Sequence, residues 1–338
     1  MMKSDHMLKL WEAMEEEKSI GLVRRLYSSD VPFNIYGTFQ YPEMYYGIAF
    51  NFSNDIRIDI SSFSKLRDLK VILLKDNTFI HSHLLIVELL DSGNRNIFAT
   101  LCENLIQSVI KNNKEQVVAS SVINQLEKWK TLFERIGPTG LSHSEQQGLF
   151  GELHFLQKCL NEPSNNPFNV LNNWIGVNKE LHDFQRGSWA LEVKTTSTNN
   201  PQKVTINGER QLDETLLENL YLYHLSLAIS TGIGQNLCQK IETIRKSLIN
   251  DMPALSLFNI KLFEAGYFDK HEPLYQERFY QIRNESFYKI ENGFPRIKEN
   301  ELRRGLSDVS YSIILAMCDK YLVPENQIFK TINCYDRN

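Results

Sequence analysis

Two carboxylates and one lysine stand close together in the segment LHDFQRGSWALEVKTT. Eight residues separate Asp183 from Glu192, and Lys194 follows two positions after Glu192. Carboxylate oxygens suit Mg²⁺, which keeps part of its water shell when bound. The metal lowers the pKa of a bound water and stabilises charge on a phosphate, and a lysine nearby can position or deprotonate that water. The spacing therefore indicates metal-assisted chemistry at a phosphate.

The stretch WALEVKT predicts a strand that carries this chemistry on one face. Side chains alternate along a strand, so Leu191 and Val193 point one way while Ala190, Glu192 and Lys194 point the other. A carboxylate and an ammonium rarely occupy the middle of an apolar strand unless they are paired or used. The small side chain of Ala190 would leave room for a cation.

A hairpin is expected to bring Asp183 to the same face. The loop QRGS contains Gly187, which tolerates positive φ. With two or four loop residues, Phe184 would face Trp189 and Asp183 would lie diagonal to Glu192, about 7–8 Å apart between backbones. A three-residue loop would reverse the parity and separate the carboxylates.

A helix that precedes the hairpin offers a third acid. Ser142 and Glu145 form a capping box, and leucines at 149, 153, 156 and 160 recur at helical spacing. Glu152 lies about 60–70° from the centre of this apolar stripe. It is therefore expected at the edge of the buried face, within reach of the strand site.

These residues resemble the PD-(D/E)XK nuclease superfamily. Asp183 and Glu192-Val193-Lys194 have the spacing of its motif, and Glu152 stands where many members carry an acidic residue. His182 replaces the proline of the motif, which is often missing in the superfamily. The resemblance implies four catalytic residues: Asp183, Glu192 and Glu152 hold or support the metal, and Lys194 assists the attacking water.

The sequence is also similar to one branch, the PD-(D/E)XK-motif family called domain of unknown function 4420, found in bacterial restriction-modification and defence gene islands. The similar pieces, spanning roughly residues 144–315, are GLFGELHFL, NWIG, HDF, LEVKTTS, VTINGERQLDE, LFEAGY, FPRI and GLSDVSYSI. This similarity implies a Mg²⁺-dependent DNA endonuclease, with Mn²⁺ as the alternative metal. It also implies a DNA methyltransferase, a GHKL-type ATPase and a helicase-like protein as partners.

Four further residues are candidates for DNA contacts. Gln211 is expected near the start of a helix that follows the motif strand, and such glutamines in the superfamily orient the site or touch the nucleic-acid backbone. Thr195 is a candidate phosphate contact, although threonine is common in strands. Arg296 and Arg303 belong to a basic cluster that suits phosphate, with a solvated surface as the alternative.

The order of elements predicts an α/β fold with a mixed sheet, and the resemblance implies that its core is PD-(D/E)XK restriction-endonuclease-like, with helices flanking that sheet. The core should contain a helix, strands at FNVLNNW, LHDF, WALEVKTT and KVTI, a helix at GERQLDETLLEN and a strand at YLYHLSLAIS. Gly137-Pro138-Thr139-Gly140 marks the preceding boundary. The predicted domains are a β-rich N-terminal domain with two helices (1–140), the nuclease core (141–232) and an α/β extension (233–338).

Composition narrows the class of protein. The 338 residues carry a net charge of −4, which excludes a histone-like binder but allows a local basic site. No apolar run approaches about 18 residues and no signal sequence opens the chain, so we expect a cytoplasmic protein without a membrane span. Five scattered cysteines fit a reducing compartment.

Two other functions stay open. One is a non-catalytic nuclease-fold subunit that binds DNA or scaffolds a defence complex. The other is an unrelated α/β protein in which Glu192 and Lys194 form only a surface ion pair. Because double-strand cleavage needs two active sites, the endonuclease hypothesis also predicts a homodimer or a larger assembly.

Overall fold

Three sheets organise the part of the chain that the structure describes: a five-stranded sheet, a six-stranded sheet and a small two-stranded sheet. A computed structural model describes residues 6–64, 66, 68–110, 112, 114–135, 139–178, 180–198 and 202–334. Their contacts form two compact units, one from residues 1–140 with 266–271 and the other from 141–265 with 272–338. The predicted boundary signal at Gly137 and Pro138 lies outside the described residues. No helix in the described part of the chain is long and apolar enough to cross a membrane.

The N-terminal unit is built on an antiparallel sheet of order β1-β2-β3-β5-β4. Its elements are α1 (His6–Glu17), β1 (Gly21–Leu26), β2 (Ile35–Tyr41), β3 (Tyr45–Ser53), β4 (Leu69–Lys75), β5 (Ser82–Leu89), α2 (Arg95–Val109) and α3 (Glu115–Arg135). Its strands are rich in aromatic and β-branched residues, as in YYGIAFNFS of β3 and SHLLIVEL of β5. The two helices expected in this region correspond to α2 and α3, and α1 precedes the sheet.

The second unit carries the predicted site. Its elements are α4 (His143–Asn161), α5 (Pro167–Asn173), β6 (Phe184–Arg186), β7 (Trp189–Thr196), β8 (Lys203–Asn207), β9 (Asn219–Ser230), β10 (Gln235–Asn236), α6 (Leu237–Ser247), α7 (Met252–Glu264), β11 (Phe279–Ile290), β12 (Ser310–Ile314), β13 (Leu322–Val323) and α8 (Glu325–Cys334). The main sheet has the order β10-β11-β9-β7-β6, with β13 paired to β11. Strands from residues 233–338 therefore extend the sheet that contains the motif strand.

The main sheet is mixed, as expected. β7 runs parallel to β9, whereas β6 and β7 form an antiparallel hairpin. A parallel neighbour requires a crossover, and here the chain crosses through β8, which pairs with β12 in a small second sheet. The small sheet covers one face of the main sheet, where Ala190, Val204, Leu222 and Ile313 share a core.

Two local predictions in this unit are wrong. The segment FNVLNNW forms α5 rather than a strand, because Pro167 occupies the first turn and the Asn166 side chain caps the helix by accepting from the Asn169 N–H. GERQLDETLLEN forms turns rather than a helix. In those turns Leu212 is buried and Glu214 binds basic side chains from a distant segment, so tertiary contacts override helix propensity.

α4 packs closely against β7. The predicted capping box of Ser142 and Glu145 is confirmed at its N-terminus. Gly151 makes the close approach possible, because a Cβ there would overlap the Thr195 methyl and lie 3.3 Å from Val193 Cγ1. This contact sets the height of the helix, and therefore of Glu152, above the motif strand.

Replacing Gly151 with alanine should destabilise the protein by about 1–3 kcal/mol, because the added methyl forces α4 away from β7. Gly148 lies in the same helix, and a Cβ there meets nothing within 4 Å. Gly148→Ala should therefore be neutral or stabilising by about 0.5–1 kcal/mol. Urea unfolding followed by circular dichroism compares the two variants, and equal stabilities would contradict this helix–strand packing.

A polar cluster ties α4 to the middle of the sheet. Glu285 on β11 accepts hydrogen bonds from His154 (3.2 Å), Lys158 (2.7 Å) and the Tyr223 hydroxyl (2.8 Å). Burial would raise the pKa of Glu285, but these three donors outweigh it and lower the pKa to about 2. The folded protein therefore favours the ionised carboxylate more strongly than the unfolded chain does.

Glu285 should make stability depend on pH in the acidic range. Because its pKa is lower in the folded state, its contribution is complete above the ordinary value of 4.5 and is lost as the pH falls from there toward 2. The expected contribution is about 2–3 kcal/mol. Urea unfolding at about pH 5 and pH 3.5 should show a smaller loss in Glu285→Gln than in wild type, and an equal loss in both would rule out this contribution.

Candidate active site

The hairpin brings Asp183 and Glu192 to the same face of the sheet. Its loop contains two residues, Gly187 and Ser188, and Gly187 has φ 56°. Arg186 pairs with Trp189, so the predicted pairing of Phe184 with Trp189 is wrong by two residues. Asp183 and Glu192 nevertheless share a face of the sheet, as expected. Continuing the observed register places Asp183 opposite Glu192 rather than diagonal to it.

Asp183 is fixed by backbone groups on both sides. Its Oδ2 accepts the N–H of Val193 at 2.7 Å. Because β6 begins only after Asp183, this side-chain oxygen replaces the backbone carbonyl that a paired strand would offer to Val193. Its own carbonyl accepts the N–H groups of Ile175 (2.9 Å) and Gly176 (3.0 Å). The position of this carboxylate is therefore set by the end of the hairpin and by the segment before it.

Glu192 and Lys194 form a buried ion pair on β7. Glu192 is 3% exposed, and its Oε1 accepts from Lys194 Nζ at 2.7 Å. Lys194 also donates to Gln211 Oε1 at 3.3 Å. Because the Glu192 carboxylate of this pair is buried in the middle of a sheet, the alternative hypothesis of a surface ion pair is wrong.

Glu152 approaches this pair from α4. Its Oε2 accepts the indole N–H of Trp174 at 2.8 Å, and Trp174 itself is fully buried. The charges of Glu192 and Lys194 both influence the pKa of Glu152, so the helix glutamate lies within electrostatic reach of the strand site. The structure thus brings together all four predicted catalytic residues.

The site holds more negative than positive charge. Burial and the charge of Glu192 raise the pKa of Glu152 to about 7, and burial with the charges of Glu192 and Glu152 raises the pKa of Asp183. Burial alone would lower the pKa of Lys194, but the neighbouring carboxylates outweigh it and raise that pKa. One ammonium cannot balance three ionised carboxylates, and the raised pKa values of Glu152 and Asp183 reflect this imbalance together with burial.

This donor set fits a hard divalent cation. Asp183 and Glu192 share one face of the hairpin, and the charge of Glu152 reaches Asp183 from the helix. Among the described residues, no group of three or more His, Cys, Asp or Glu side chains is already arranged to hold a metal ion. Mg²⁺ needs no such cluster, because it is commonly bound by one or two carboxylates together with water and substrate phosphates.

Gln211 joins the site from an unexpected element. It lies in the turns after β8, where its Oε1 also accepts the N–H of Asn207 at 2.9 Å. The turns are held by the FPRI segment, in which Arg296 donates to the Leu212 carbonyl at 2.5 Å and forms an ion pair with Glu214. A contact from the distant C-terminal segment therefore positions a residue that touches Lys194.

The other candidate DNA contacts do not join the carboxylates. Thr195 points to the opposite face, toward α4, where its hydroxyl accepts from Gln147 at 3.2 Å. The Arg296 side chain is 3% exposed and bound to Glu214, so a role in phosphate contact would require it to leave that ion pair. Arg303 is exposed, as a phosphate contact requires.

Three further residues lie near the carboxylates. Trp174 binds Glu152, and Gly176 lies directly against Asp183. His182 is buried, and burial lowers its pKa although the nearby charge of Glu192 acts in the opposite direction. The segment NWIG was a signal for the first two residues, since a tryptophan and a glycine stand close before Asp183.

Comparison with known proteins identifies the family. The chain has no significant match among curated proteins or solved structures. One family model matches residues 7–316, nearly the whole chain, and its description reads "Putative PD-(D/E)XK family member". That description indicates a nuclease and agrees with the α/β fold described above. The chain therefore belongs to the PD-(D/E)XK family called domain of unknown function 4420.

Proposed function

We propose that this protein is a Mg²⁺-dependent DNA endonuclease, the nuclease component of a bacterial restriction-modification or anti-phage defence system. The observation that carries the proposal is the buried ion pair of Glu192 and Lys194, with Asp183 and Glu152 both within electrostatic reach of that lysine. Membership of a PD-(D/E)XK family supports the nuclease activity. The DNA substrate and the defence role are proposed from the resemblance of the sequence to that family.

The residues divide the work of phosphodiester hydrolysis. Asp183 and Glu192 would hold Mg²⁺ or Mn²⁺, with Glu152 in support, and the bound ion supplies a water of lowered pKa and positive charge near the phosphate. In the metal-free site the neighbouring carboxylates raise the pKa of Lys194 and favour its ammonium form. In this state it cannot accept a proton, so it orients the water or offsets negative charge on the phosphate. Gln211 holds the ammonium through its side-chain oxygen.

The proposed partners follow from the same resemblance. DNA is the substrate, and exposed Arg303 is the candidate contact with its phosphates. A DNA methyltransferase, a GHKL-type ATPase and a helicase-like protein would act in the same system. Two copies of the chain would supply the two active sites that double-strand cleavage requires.

Removing any one of the central charges should abolish nuclease activity. Glu192→Gln, Asp183→Asn and Lys194→Met each keep the approximate shape of the side chain, and each should reduce the rate of plasmid cleavage with Mg²⁺ by about 100-fold or more, because charge stabilisation at the phosphate is lost. Conversion of supercoiled plasmid to nicked and linear forms measures the rate.

A matched control separates catalysis from folding. Glu88 is also a buried strand glutamate, 3% exposed, and it pairs with Lys70 at 3.4 Å in the N-terminal unit. Glu88→Gln should retain cleavage. Equal cleavage by wild type and all variants would indicate a contaminating nuclease. An inactive wild type that still binds DNA would favour the non-catalytic scaffold instead.

Metal binding should release protons in a pH-dependent way. At about pH 6 the Glu152 carboxyl, with a pKa of about 7, is largely protonated, so a cation must displace its proton. Mg²⁺ should therefore bind more weakly, and release more protons, at about pH 6 than at about pH 8.5. Calorimetry in buffers of different ionisation enthalpy measures the release. Glu152→Gln should reduce the difference, and a release independent of pH in wild type would contradict the raised pKa.

A further inference from the structure

Three consecutive residues between α5 and β6 contact two of the site carboxylate residues. Trp174 donates its indole N–H to Glu152 Oε2 at 2.8 Å. Ile175 and Gly176 donate their backbone N–H groups to the Asp183 carbonyl at 2.9 and 3.0 Å. Glu152 belongs to α4 and Asp183 precedes β6, so this segment, residues 174–176, connects two elements that each bring one acid.

Gly176 allows this segment to lie directly on Asp183. A Cβ at Gly176 would stand 2.6 Å from Asp183 Oδ1 and 2.8 Å from its Cα. Any larger residue must therefore displace the aspartate or the segment. The position thus requires glycine because of close packing against a carboxylate of the site.

Residues 174–176 are themselves anchored from another helix. Lys261 on α7 is 5% exposed, and it donates its ammonium to the Trp174 carbonyl at 2.5 Å. The Trp174 ring lies against Phe258 of the same helix, with centroids 6.3 Å apart. The hydrogen bond and the ring contact together hold the segment against α7.

We infer that residues 174–176 form a positioning clamp that sets the relative placement of the Glu152 and Asp183 carboxylates for a divalent cation. Trp174 acts through Glu152, and Gly176 acts through Asp183. Without the clamp, Glu152 would lose the indole N–H that it accepts, and the Asp183 carbonyl would lose its two backbone N–H donors. The inference rests on the proposed function, because it assumes that these carboxylates bind a metal.

Trp174→Phe keeps an aromatic side chain but removes the indole N–H, so it should weaken Mn²⁺ binding about 10–100-fold, the usual effect of losing a group that orients a metal ligand. Mn²⁺ affinity is measured by calorimetry or by the electron paramagnetic resonance of free Mn²⁺, without reference to cleavage. If Trp174 acts through Glu152, the substitution should have little further effect in a Glu152→Gln background.

Two control variants test for general damage. Trp11 is fully buried and donates its indole N–H to the Gly47 carbonyl at 2.9 Å in the N-terminal unit, so Trp11→Phe removes an equivalent hydrogen bond. Lys240 is 3% exposed, and its ammonium binds Gln157 at 2.8 Å. Both control variants, Trp11→Phe and Lys240→Met, should leave Mn²⁺ affinity within about twofold of wild type. Lys261→Met, which removes the anchor of the Trp174 carbonyl, should instead weaken Mn²⁺ binding.

The outcomes separate the clamp from the proposed function. No Mn²⁺ binding by folded wild type would overturn the proposed metal-dependent function, and the clamp with it. Mn²⁺ binding by wild type with unchanged affinity in Trp174→Phe, or an equal further loss in the Glu152→Gln background, would overturn the clamp alone. Should Trp174→Phe fail to fold by circular dichroism, Gly176→Ala serves as the second variant, and unchanged affinity in it would overturn the clamp.

Discussion

Repulsion among buried carboxyl groups is the interaction on which the site depends. Asp183, Glu192 and Glu152 lie within electrostatic reach of one another, with a single ammonium, Lys194, to offset them. Burial makes the unbalanced charge expensive, and the raised pKa values of Asp183 and Glu152 express that cost. Such a site is poised for a cation, because binding one lowers the repulsion that folding has imposed.

The fold imposes this arrangement through short, rigid connections. The two-residue hairpin fixes the register of β6 on β7, and the close contact at Gly151 fixes the height of α4. Residues 174–176 then join the two acids that these elements carry, Glu152 on α4 and Asp183 before β6. On the other side of Lys194, the C-terminal segment with Arg296 holds the turns that carry Gln211. The site is thus supported by elements distributed over most of the second unit.

Much of the site could be predicted because its signals are local. Strand alternation placed Glu192 and Lys194 on one face, the capping box located α4, and Gly187 marked the hairpin. The remaining features depend on contacts between residues far apart in the chain. Arg296 binds the Leu212 carbonyl and Lys261 binds the Trp174 carbonyl, more than eighty residues away in each case. No local sequence pattern predicts such contacts. The sequence therefore suggests a DNA contact for Arg296 and a helix around Gln211, and it marks Trp174 only through the NWIG segment shared with the family.

The most direct test of the central claim is anomalous diffraction from crystals soaked in Mn²⁺, collected at about neutral pH. The buried excess of negative charge predicts an anomalous peak within coordination distance of both Asp183 and Glu192, with Lys194 still beside Glu192. Clear density for the three side chains without such a peak, at Mn²⁺ concentrations that saturate binding in solution, would contradict it. So would a peak held entirely by other residues.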